Sequence, residues 1–281
     1  MKRIVILGAS GYVGCSCARH YSSMTDVFTI TAGKAGCELS VDLVSDNFVS
    51  FISSVWPGDT VLFLAAISSP DRCAELGGAA QLINVNNTIS LIEQLTAKGA
   101  NVVFCSSDAV MGKYAVKSYE NSPVRPSGIY GEMKAAVELA VSENPNVKVA
   151  RFSLVLGSGD KFTEMLKHAS ASGQEVEIFA GFVRNVVSID DVTEGLYLLA
   201  KYWDQFPQKV FNFSGPELVS RECLVATFAD VIPGLRYRVT DAPEKFWTNR
   251  ERSVETDCHN FSLLLGRPPR SLSQIVSSWV Q

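Results

Sequence analysis

Tyr130 and Lys134 stand four positions apart, so on a helix they share one face. A phenol with its ordinary pKa of about 10 is a poor proton donor or acceptor at neutral pH. A neighbouring ammonium group stabilises the phenolate and lowers that pKa. The pair therefore predicts a tyrosine that shuttles a proton with the help of a lysine. The same spacing also occurs by chance on solvated helices, and the pair alone does not distinguish the two cases.

The hydroxyl group of Ser107 is a third candidate. Ser107 closely follows the apolar run at residues 102–105 and is itself followed by Asp108. Such a run predicts a buried strand, and the carboxyl ends of strands in a doubly wound sheet open onto the ligand crevice. We expect Ser107 and Tyr130 to converge on one carbonyl oxygen, with Ser107 as the hydrogen-bond donor that holds it.

Three glycines near the N-terminus, Gly8, Gly11 and Gly14, follow the apolar run at residues 4–7. The first permits a tight turn, the second lets the backbone approach a pyrophosphate, and the third lets a helix pack on the strand. The phosphates would lie at the N-terminus of that helix. The order of strand, turn and helix predicts a dinucleotide site. The other turn residues predicted to contribute are Ser10, Tyr12 and Val13.

The choice of cofactor is read after the second predicted strand, which ends in Thr31-Ala32-Gly33-Lys34 without an acidic residue. An acid at this place binds a ribose 2′-hydroxyl, whereas a cation accepts a 2′-phosphate. Lys34 therefore favours NADP as the cofactor, and NAD remains the alternative. The simplest interpretation is that Lys34 is a solvated lysine without a role in binding. Asp42 and the adjoining Leu43 are expected to face the adenine rather than the ribose.

Apolar runs of strand length must position these groups, and they lie at residues 2–7, 27–31, 60–65, 101–105 and 147–152. Their near-continuous hydrophobicity is typical of a parallel sheet covered by helices on both faces. Between the third and fourth runs, apolar residues recur at steps of three and four, at Leu82, Val85, Ile89 and Ile92. This period predicts a helix with one buried stripe.

We therefore expect an α/β fold: a doubly wound parallel sheet of the Rossmann type with a smaller, partly interleaved C-terminal substrate-binding region. The regular alternation degrades beyond about residue 155, where glycines punctuate shorter elements. The predicted division is a dinucleotide-binding domain at residues 1–155 and a mainly substrate-binding region at residues 156–281. Segments near 185–213 are expected to return to the first domain.

Composition narrows the class of protein. A chain of 281 residues that is 47% hydrophobic can bury a large core, which excludes disordered and fibrous classes. The net charge of -4 argues against nucleic-acid binding. The longest apolar stretch, residues 61–67, is far shorter than the roughly 20 residues that span a membrane, so we expect no membrane-spanning segment. Seven cysteines without ligand spacing fit reduced thiols in a cytoplasmic protein and predict no metal. The sequence leaves open whether the protein forms a homodimer.

Taken together, the motifs resemble the extended short-chain dehydrogenase/reductases. They are the glycine turn, Leu64-Ala65-Ala66, residues 84–88, Ser106-Ser107 and Tyr130-x-x-x-Lys134. Later segments at 150–157, 184–191 and 211–215 are also similar to that family. Within it, residues 70–75, 106–108 and 252–266 look most like the dTDP-4-dehydrorhamnose reductase subfamily.

The resemblance implies roles for the three reactive side chains. Tyr130 would be the general acid, Lys134 would set its pKa and anchor the cofactor ribose, and Ser107 would orient the substrate carbonyl. NADPH would deliver a hydride to a 4-keto-6-deoxy nucleotide sugar. The family motifs also imply cofactor contacts at Leu64, Ala65, Ala66 and Asn86.

Substrate-binding candidates lie in the second half of the chain. Arg184, Arg250 and Arg252 could bind the nucleotide diphosphate, because a guanidinium group pairs with phosphate through two hydrogen bonds. Solvated arginines or internal salt bridges are equally open for each of them. Asp108 is expected to join Ser107 at the sugar.

Departures from the family limit the chemistry. Asp108 is followed by Ala109 and not by the glutamate of the related 4,6-dehydratases, which argues against dehydration. Asn87 stands where a glycine is usual, and Met111 where an aromatic residue is common. Two alternatives to a reductase remain: a nucleotide-sugar epimerase with tightly bound NAD(P), and a non-catalytic, cofactor-binding regulator on the same fold.

Overall fold

The computed structural model describes residues 2–34, 36–112 and 116–278. The strands are β1 (Lys2–Leu7), β2 (Val27–Gly33), β3 (Leu39–Ser40), β4 (Thr60–Phe63), β5 (Asn101–Ser107), β6 (Val147–Phe152), β7 (Leu154–Leu156), β8 (Glu175–Phe179), β9 (Val183–Ser188), β10 (Val210–Phe213), β11 (Leu218–Ser220), β12 (Arg236–Thr240) and β13 (Ser253–Val254). The helices are α1 (Tyr12–Tyr21), α2 (Val49–Ser54), α3 (Pro70–Leu76), α4 (Gly78–Gln81), α5 (Asn87–Ala97), α6 (Gly128–Ala140), α7 (Lys161–Ser172), α8 (Ile189–Lys201), α9 (Arg221–Ala229), α10 (Glu244–Trp247), α11 (His259–Leu265) and α12 (Leu272–Ser277).

The main sheet has seven strands in the order β10-β6-β5-β4-β1-β2-β3, and all its pairs are parallel. This order places the topological switch between β1 and β4, where ligands bind in doubly wound folds. The predicted Rossmann-type fold is confirmed. The first sequence-predicted strand and the one at residues 147–152 match in full, and the one predicted at 101–105 extends to Ser107.

Two apolar layers cover the sheet because successive side chains of a strand point to opposite faces. On β1, Val5 packs with the side of the sheet that carries α2, α5 and α6, whereas Ile4 and Ile6 pack with α1, α8 and α11. Both faces of the main sheet are therefore shielded from solvent. This arrangement explains why the strands read as continuous apolar runs.

The predicted helix stripe at residues 82–92 is only partly right. Val85 and Ile92 are buried, but Leu82 is 43% exposed. The reason is a π-helical turn at Leu82–Asn86 between α4 and α5. Such a turn holds an extra residue and offsets the 3.6-residue period on which the prediction depends.

The C-terminal half contributes both to the main sheet and to a smaller assembly. Strand β10 forms one edge of the main sheet, and the hydroxyl group of Tyr21 in α1 donates to the carbonyl oxygen of Thr193 in α8, at 2.7 Å. The other strands form a small sheet around β9, with β11, β13 and β7, and a β8–β12 pair. A third apolar cluster joins these to α7, α9 and α12. The division at residue 155 stays a prediction.

None of the helices in the described part of the chain has both the length and the apolarity that a membrane span requires.

Candidate active site

The glycine turn is packed against the end of β4. Gly8 has φ +99°, and a Cβ atom there would lie 2.7 Å from the backbone nitrogen of Ala65. At Gly14 a Cβ atom would lie 2.3 Å from the carbonyl oxygen of Gly8. Helix α1 begins at Tyr12, directly after the turn. The backbone can fold this tightly only with glycine at these places.

A groove of about 260 Å³ runs along the switch point between β1 and β4. It is lined by many of the predicted cofactor residues: Gly8, Ser10, Gly11, Lys34, Asp42, Leu43, Leu64, Ala65 and Ala66. The backbone cradle and its apolar walls fit a dinucleotide whose phosphates approach the N-terminus of α1.

Apart from Tyr130 and Lys134, which lie at the neighbouring cavity described below, three of the predicted cofactor residues do not present their side chains to this groove. Asn86 is exposed and lies outside its lining, and Val13 packs into the core. The hydroxyl group of Tyr12 is buried without a hydrogen-bond partner among the described residues. Burial, with Asp160 and Asp190 nearby, raises the pKa of Tyr12. Tyr12 and Val13 can contribute to the turn only through their backbone.

A cation and an acid share the outer end of the groove. Nζ of Lys34 lies 4.0 Å from the carboxylate of Asp42, and both side chains are mostly exposed. The sequence places no acid directly after β2, but β3 brings Asp42 back to this point. One Oδ of Asp42 also accepts a hydrogen bond from the backbone nitrogen of Val44, at 3.1 Å.

Ser107 and Tyr130 line one cavity of about 300 Å³ at the carboxyl end of β5. The structure therefore brings together the two side chains that the sequence predicted to converge. Asp108, Arg184 and Arg250 line the same cavity. Lining residues that sequence reasoning missed are Ser68, Pro70, Ala109, Ser127, Ser153, Leu154, Phe182 and Asn249.

Lys134 lies behind this cavity, almost fully buried. Its Nζ donates a hydrogen bond to the carbonyl oxygen of Cys105 at 2.8 Å and lies 4.6 Å from the ring centre of Phe104. The ring centre of Tyr130 is 5.9 Å from the same nitrogen. Burial lowers the pKa of Lys134 to about 8.

The pKa of Tyr130 moves against our expectation. We expected the Lys134 ammonium to lower it, but burial raises it above its usual value, and the nearby Asp108 carboxylate adds to the increase. The phenol of Tyr130 is therefore neutral at neutral pH. A neutral phenol is the form that can donate a proton to a developing alkoxide.

The Ser107 hydroxyl group is engaged within the chain. It donates to Oδ1 of Asp108 at 3.1 Å and accepts from the backbone nitrogen of Ala109 at 3.2 Å. Oδ2 of Asp108 lies 3.6 Å from Nε of Arg184. Burial raises the pKa of Asp108, and Arg184 opposes this increase. To hold a carbonyl oxygen, Ser107 must turn its proton away from Asp108.

The predicted diphosphate arginines have other contacts. Arg250 makes a bidentate pair with Asp71 of α3, at 2.8 and 2.6 Å, and Arg184 donates to the backbone carbonyls of Val183, Glu251 and Arg252. These are the internal ion pairs and hydrogen bonds that the sequence left open. Arg252 is exposed, stacks on Trp247 at 4.4 Å and lies outside the cavity lining.

Arg221 is a further candidate that sequence reasoning missed. Its guanidinium carbon lies 4.6 Å from the ring centre of Phe182, and its Nε is buried without a partner among the described residues. Burial is the largest cause that lowers the pKa of Arg221, and the positive charges of Arg250 and Arg184 lower it further. Arg221 is the first residue of α9. A cation is unfavourable at the N-terminus of a helix. An arginine at the start of a helix was therefore the feature that could have identified Arg221 as a binding candidate.

Comparisons with known proteins place the chain among relatives. The family model described as RmlD substrate binding domain matches residues 1–240. The methionine adenosyltransferase 2 subunit beta of Pongo abelii is 24% identical over 277 residues, covering 94% of this chain and 82% of that protein.

Two solved structures share the fold. The dTDP-4-dehydrorhamnose reductase from Yersinia enterocolitica superposes with a TM-score of 0.83 at 17% identity, covering 99% of this chain and all of that one. The UDP-glucose-4-epimerase from Stenotrophomonas maltophila, with bound NAD and formylated UDP-arabinopyranose, superposes with a TM-score of 0.84 at 15% identity and covers 100% of this chain and 97% of that one.

The family model spans most of the chain and includes the glycine turn, Ser107, Tyr130 and Lys134. The resemblance drawn from the motifs is confirmed. The chain belongs to the RmlD substrate binding domain family, among the dTDP-4-dehydrorhamnose reductase-like members of the extended short-chain dehydrogenase/reductases.

Proposed function

We propose that this protein is an NADP-dependent reductase of a 4-keto-6-deoxy nucleotide sugar. The observation that carries the proposal is the meeting of Ser107 and Tyr130 in one cavity, with Lys134 anchored directly behind them. The glycine turn and its groove supply a place for the nicotinamide cofactor at the neighbouring switch point.

The chain's own residues account for the proton and for the orientation of the substrate. When bound, the nicotinamide cofactor supplies the hydride that attacks the carbonyl carbon. Ser107 donates a hydrogen bond to the carbonyl oxygen once its proton turns from Asp108. Tyr130 gives its proton to that oxygen as negative charge develops there, and the Lys134 ammonium stabilises the phenolate left behind. Proton transfer of this kind contributes about 10²- to 10⁴-fold to a rate.

The nucleotide end of the substrate would lie against the arginines beyond Asp108. Arg221 lies outside the cavity lining but against Phe182, which lines it, and it supports this placement because its buried Nε has no partner among the described residues. Phe182, which lines the cavity and stacks under both Arg184 and Arg221, offers an aromatic surface beside these cations. Guanidinium groups in this setting suit a diphosphate.

The preference for NADP rests on Lys34. Its side chain is 73% exposed at the outer end of the groove, so its ammonium group, 4.0 Å from the Asp42 carboxylate, is accessible to a 2′-phosphate. The neighbouring Asp42 carboxylate opposes this preference and keeps NAD in competition. The NAD bound to the structurally similar epimerase supports a nicotinamide cofactor in either form.

One assay separates the reductase from the epimerase. The protein is incubated with NADPH and a dTDP- or UDP-linked 4-keto-6-deoxy sugar, and both the NADPH absorbance and the mass of the sugar are followed. A reductase consumes one NADPH per sugar and adds two hydrogens to it. An epimerase leaves the mass and the NADPH unchanged. The same nucleotide sugar without the keto group is the control and should consume nothing.

A binding subunit without turnover is the second candidate. The matched relative of Pongo abelii is named as a subunit of a methionine adenosyltransferase. In this chain the Ser107 hydroxyl already donates to Asp108, a contact that a non-catalytic site could keep. Tight binding of the cofactor, with no turnover of any keto sugar in the assay, would favour this candidate over the reductase.

A further inference from the structure

Helix α6 carries a third functional group on the face of Tyr130 and Lys134. Glu138 follows Lys134 by four residues, so the three side chains form one row along the helix. Glu138 is 7% exposed. It does not line the cavity of Tyr130 and lies instead, with Arg151, beside a second cavity.

The Glu138 carboxylate is fully engaged. Its Oε1 accepts a hydrogen bond from the Ser106 hydroxyl at 2.5 Å. Arg151 of β6 donates from Nε at 3.1 and 3.2 Å and from Nη2 at 2.7 Å. Ser106 and Arg151 are both nearly inaccessible to solvent.

Ser106 connects this carboxylate to the active site through the backbone. It lies between Cys105, whose carbonyl oxygen accepts the Lys134 hydrogen bond, and Ser107. Glu138 therefore holds the end of β5 against the same helix that carries Tyr130. This attachment lies one residue from Ser107 and on the helix that carries Tyr130.

Glu138 also opposes the burial of Lys134. Burial favours the neutral amine of Lys134, and the Glu138 carboxylate favours the ammonium. Of the other groups near Lys134, the Cys105 and Cys73 thiols are neutral at neutral pH because burial raises the pKa of each. Tyr130 is neutral for the same reason.

Two more charged groups lie at the edge of this environment. Asp108 interacts with Tyr130 and is paired with Arg184, and Arg151 is paired with Glu138 itself. Among the described groups that act on Lys134, Glu138 is therefore the carboxyl group that favours the ammonium form. Stability alone is a weak reason to keep a buried ion pair, because apolar residues of similar volume often replace one at no cost.

We propose that Glu138 is a positioning residue of the active site, which keeps Lys134 in its ammonium form and holds Ser107 in register with Tyr130. The second half of this statement rests on the proposed reductase function. The first half concerns the chain alone. The two halves are therefore tested by separate measurements.

The first measurement is the titration of Lys134 by NMR, with lysine labelled at the ε-carbon and the signal assigned by its loss in Lys134→Met. In Glu138→Gln we expect the Lys134 midpoint to fall by about one pH unit. In Glu138→Asp, which keeps the charge, the midpoint should stay near that of the unmodified protein. Asp191→Asn is the matched control, because Asp191 is a buried carboxylate paired with Arg267 and Arg270 in a distant part of the chain.

The second measurement is steady-state kinetics of Ser106→Ala, which removes one hydrogen bond and no charge. We expect kcat to fall about tenfold while the Lys134 midpoint and the affinity for NADPH stay unchanged. A merely structural role would lower thermal stability without this split between kcat and cofactor affinity.

The outcomes that overturn the proposal are specific. If folded Glu138→Gln keeps the original Lys134 midpoint, or if Asp191→Asn shifts it equally, Glu138 does not maintain the charge. If Glu138→Gln does not fold, the Lys134 midpoint of Glu138→Gln/Arg151→Met is compared with that of Arg151→Met, because these two proteins differ only in the Glu138 charge, and equal midpoints overturn the proposal. An unchanged kcat in Ser106→Ala excludes the positioning role. If no keto sugar is reduced by the unmodified protein, the proposed function fails, while the Lys134 titration still decides the role of Glu138.

Discussion

Nζ of Lys134 lies 2.8 Å from the carbonyl oxygen of Cys105. This hydrogen bond joins the helix that carries Tyr130 to the strand that ends in Ser107. Together with the hydrogen bond from Ser106 to Glu138, it holds the three groups proposed to act on the substrate in place between α6 and β5.

The buried Lys134 should make stability depend on pH. Its pKa is about 8 in the folded protein, against 10.5 for an ordinary lysine. Between these values the unfolded chain binds more protons, so the free energy of unfolding should rise with pH over this window. The stabilisation is fully present above pH 10.5 and lost as the pH falls through 8.

Comparison with Lys134→Met isolates this effect, because Lys148 has a similarly lowered pKa and contributes to the same window. The difference in unfolding free energy between the protein and the variant should grow by up to roughly 3 kcal/mol from pH 8 to 10.5, as measured by urea denaturation. Equal slopes in the two proteins would mean that Lys134 titrates normally.

The glycine turn should not tolerate a methyl group at Gly14. The Cβ atom of Gly14→Ala would meet the carbonyl oxygen of Gly8 at 2.3 Å, which forces α1 away from β1. We expect a loss of more than about 2 kcal/mol in stability and of measurable dinucleotide binding. Gly78→Ala is the matched control, since its Cβ atom has no neighbour within 4 Å and it too lies in a helix. Equal behaviour of the two variants would contradict the close packing.

Lys34 and Asp42 should influence cofactor choice in opposite directions. Lys34→Ala should weaken NADPH about tenfold and leave NADH nearly unchanged, because only NADPH carries the 2′-phosphate. Asp42→Asn should strengthen NADPH severalfold by removing the opposing carboxylate. Fluorescence titration measures both affinities, and Lys167→Ala on a distant surface is the control. If Lys34→Ala weakens both cofactors equally, Lys34 does not select between them.

The pair of Asp71 and Arg250 should compete with an anionic ligand. Asp71 is 57% exposed at its side chain, so Asp71→Asn should cost less than about 1 kcal/mol in stability. It should free Arg250 at the cavity and tighten UDP or dTDP binding severalfold in calorimetry. Arg250→Met should weaken the same binding. Asp26→Asn, which breaks an exposed pair with Lys201, is the control. An unchanged affinity in both cavity variants would place the diphosphate elsewhere.

Local rules predicted the parts of this molecule that depend on local spacing. The glycine turn follows from the steric demands of one tight bend, and the strands follow from continuous apolar runs buried on both faces. The exposed Leu82 was missed because the π-helical turn that displaces it has no signal in a 3.6-residue period. One extra residue in a turn is enough to offset the predicted stripe.

The electrostatics of the site depend on contacts between distant parts of the chain. Arg250 and Asp71 are 179 residues apart, so no local spacing could predict that they pair. The pKa of Tyr130 was expected to fall from its spacing to Lys134, but burial and Asp108 raise it. Helical spacing identifies neighbours on one face. It does not measure how deeply that face is buried.

The most direct test of the proposed function is a single-turnover measurement with Tyr130→Phe. NADPH and a 4-keto-6-deoxy nucleotide sugar are mixed with each protein, and the loss of NADPH absorbance is followed by stopped flow, with the affinity for NADPH measured separately. We predict that the reduction rate falls at least about 100-fold while the affinity for NADPH stays within about threefold, because only the proton donor is lost. A rate equal to that of the unmodified protein would contradict the assignment of Tyr130 as the acid.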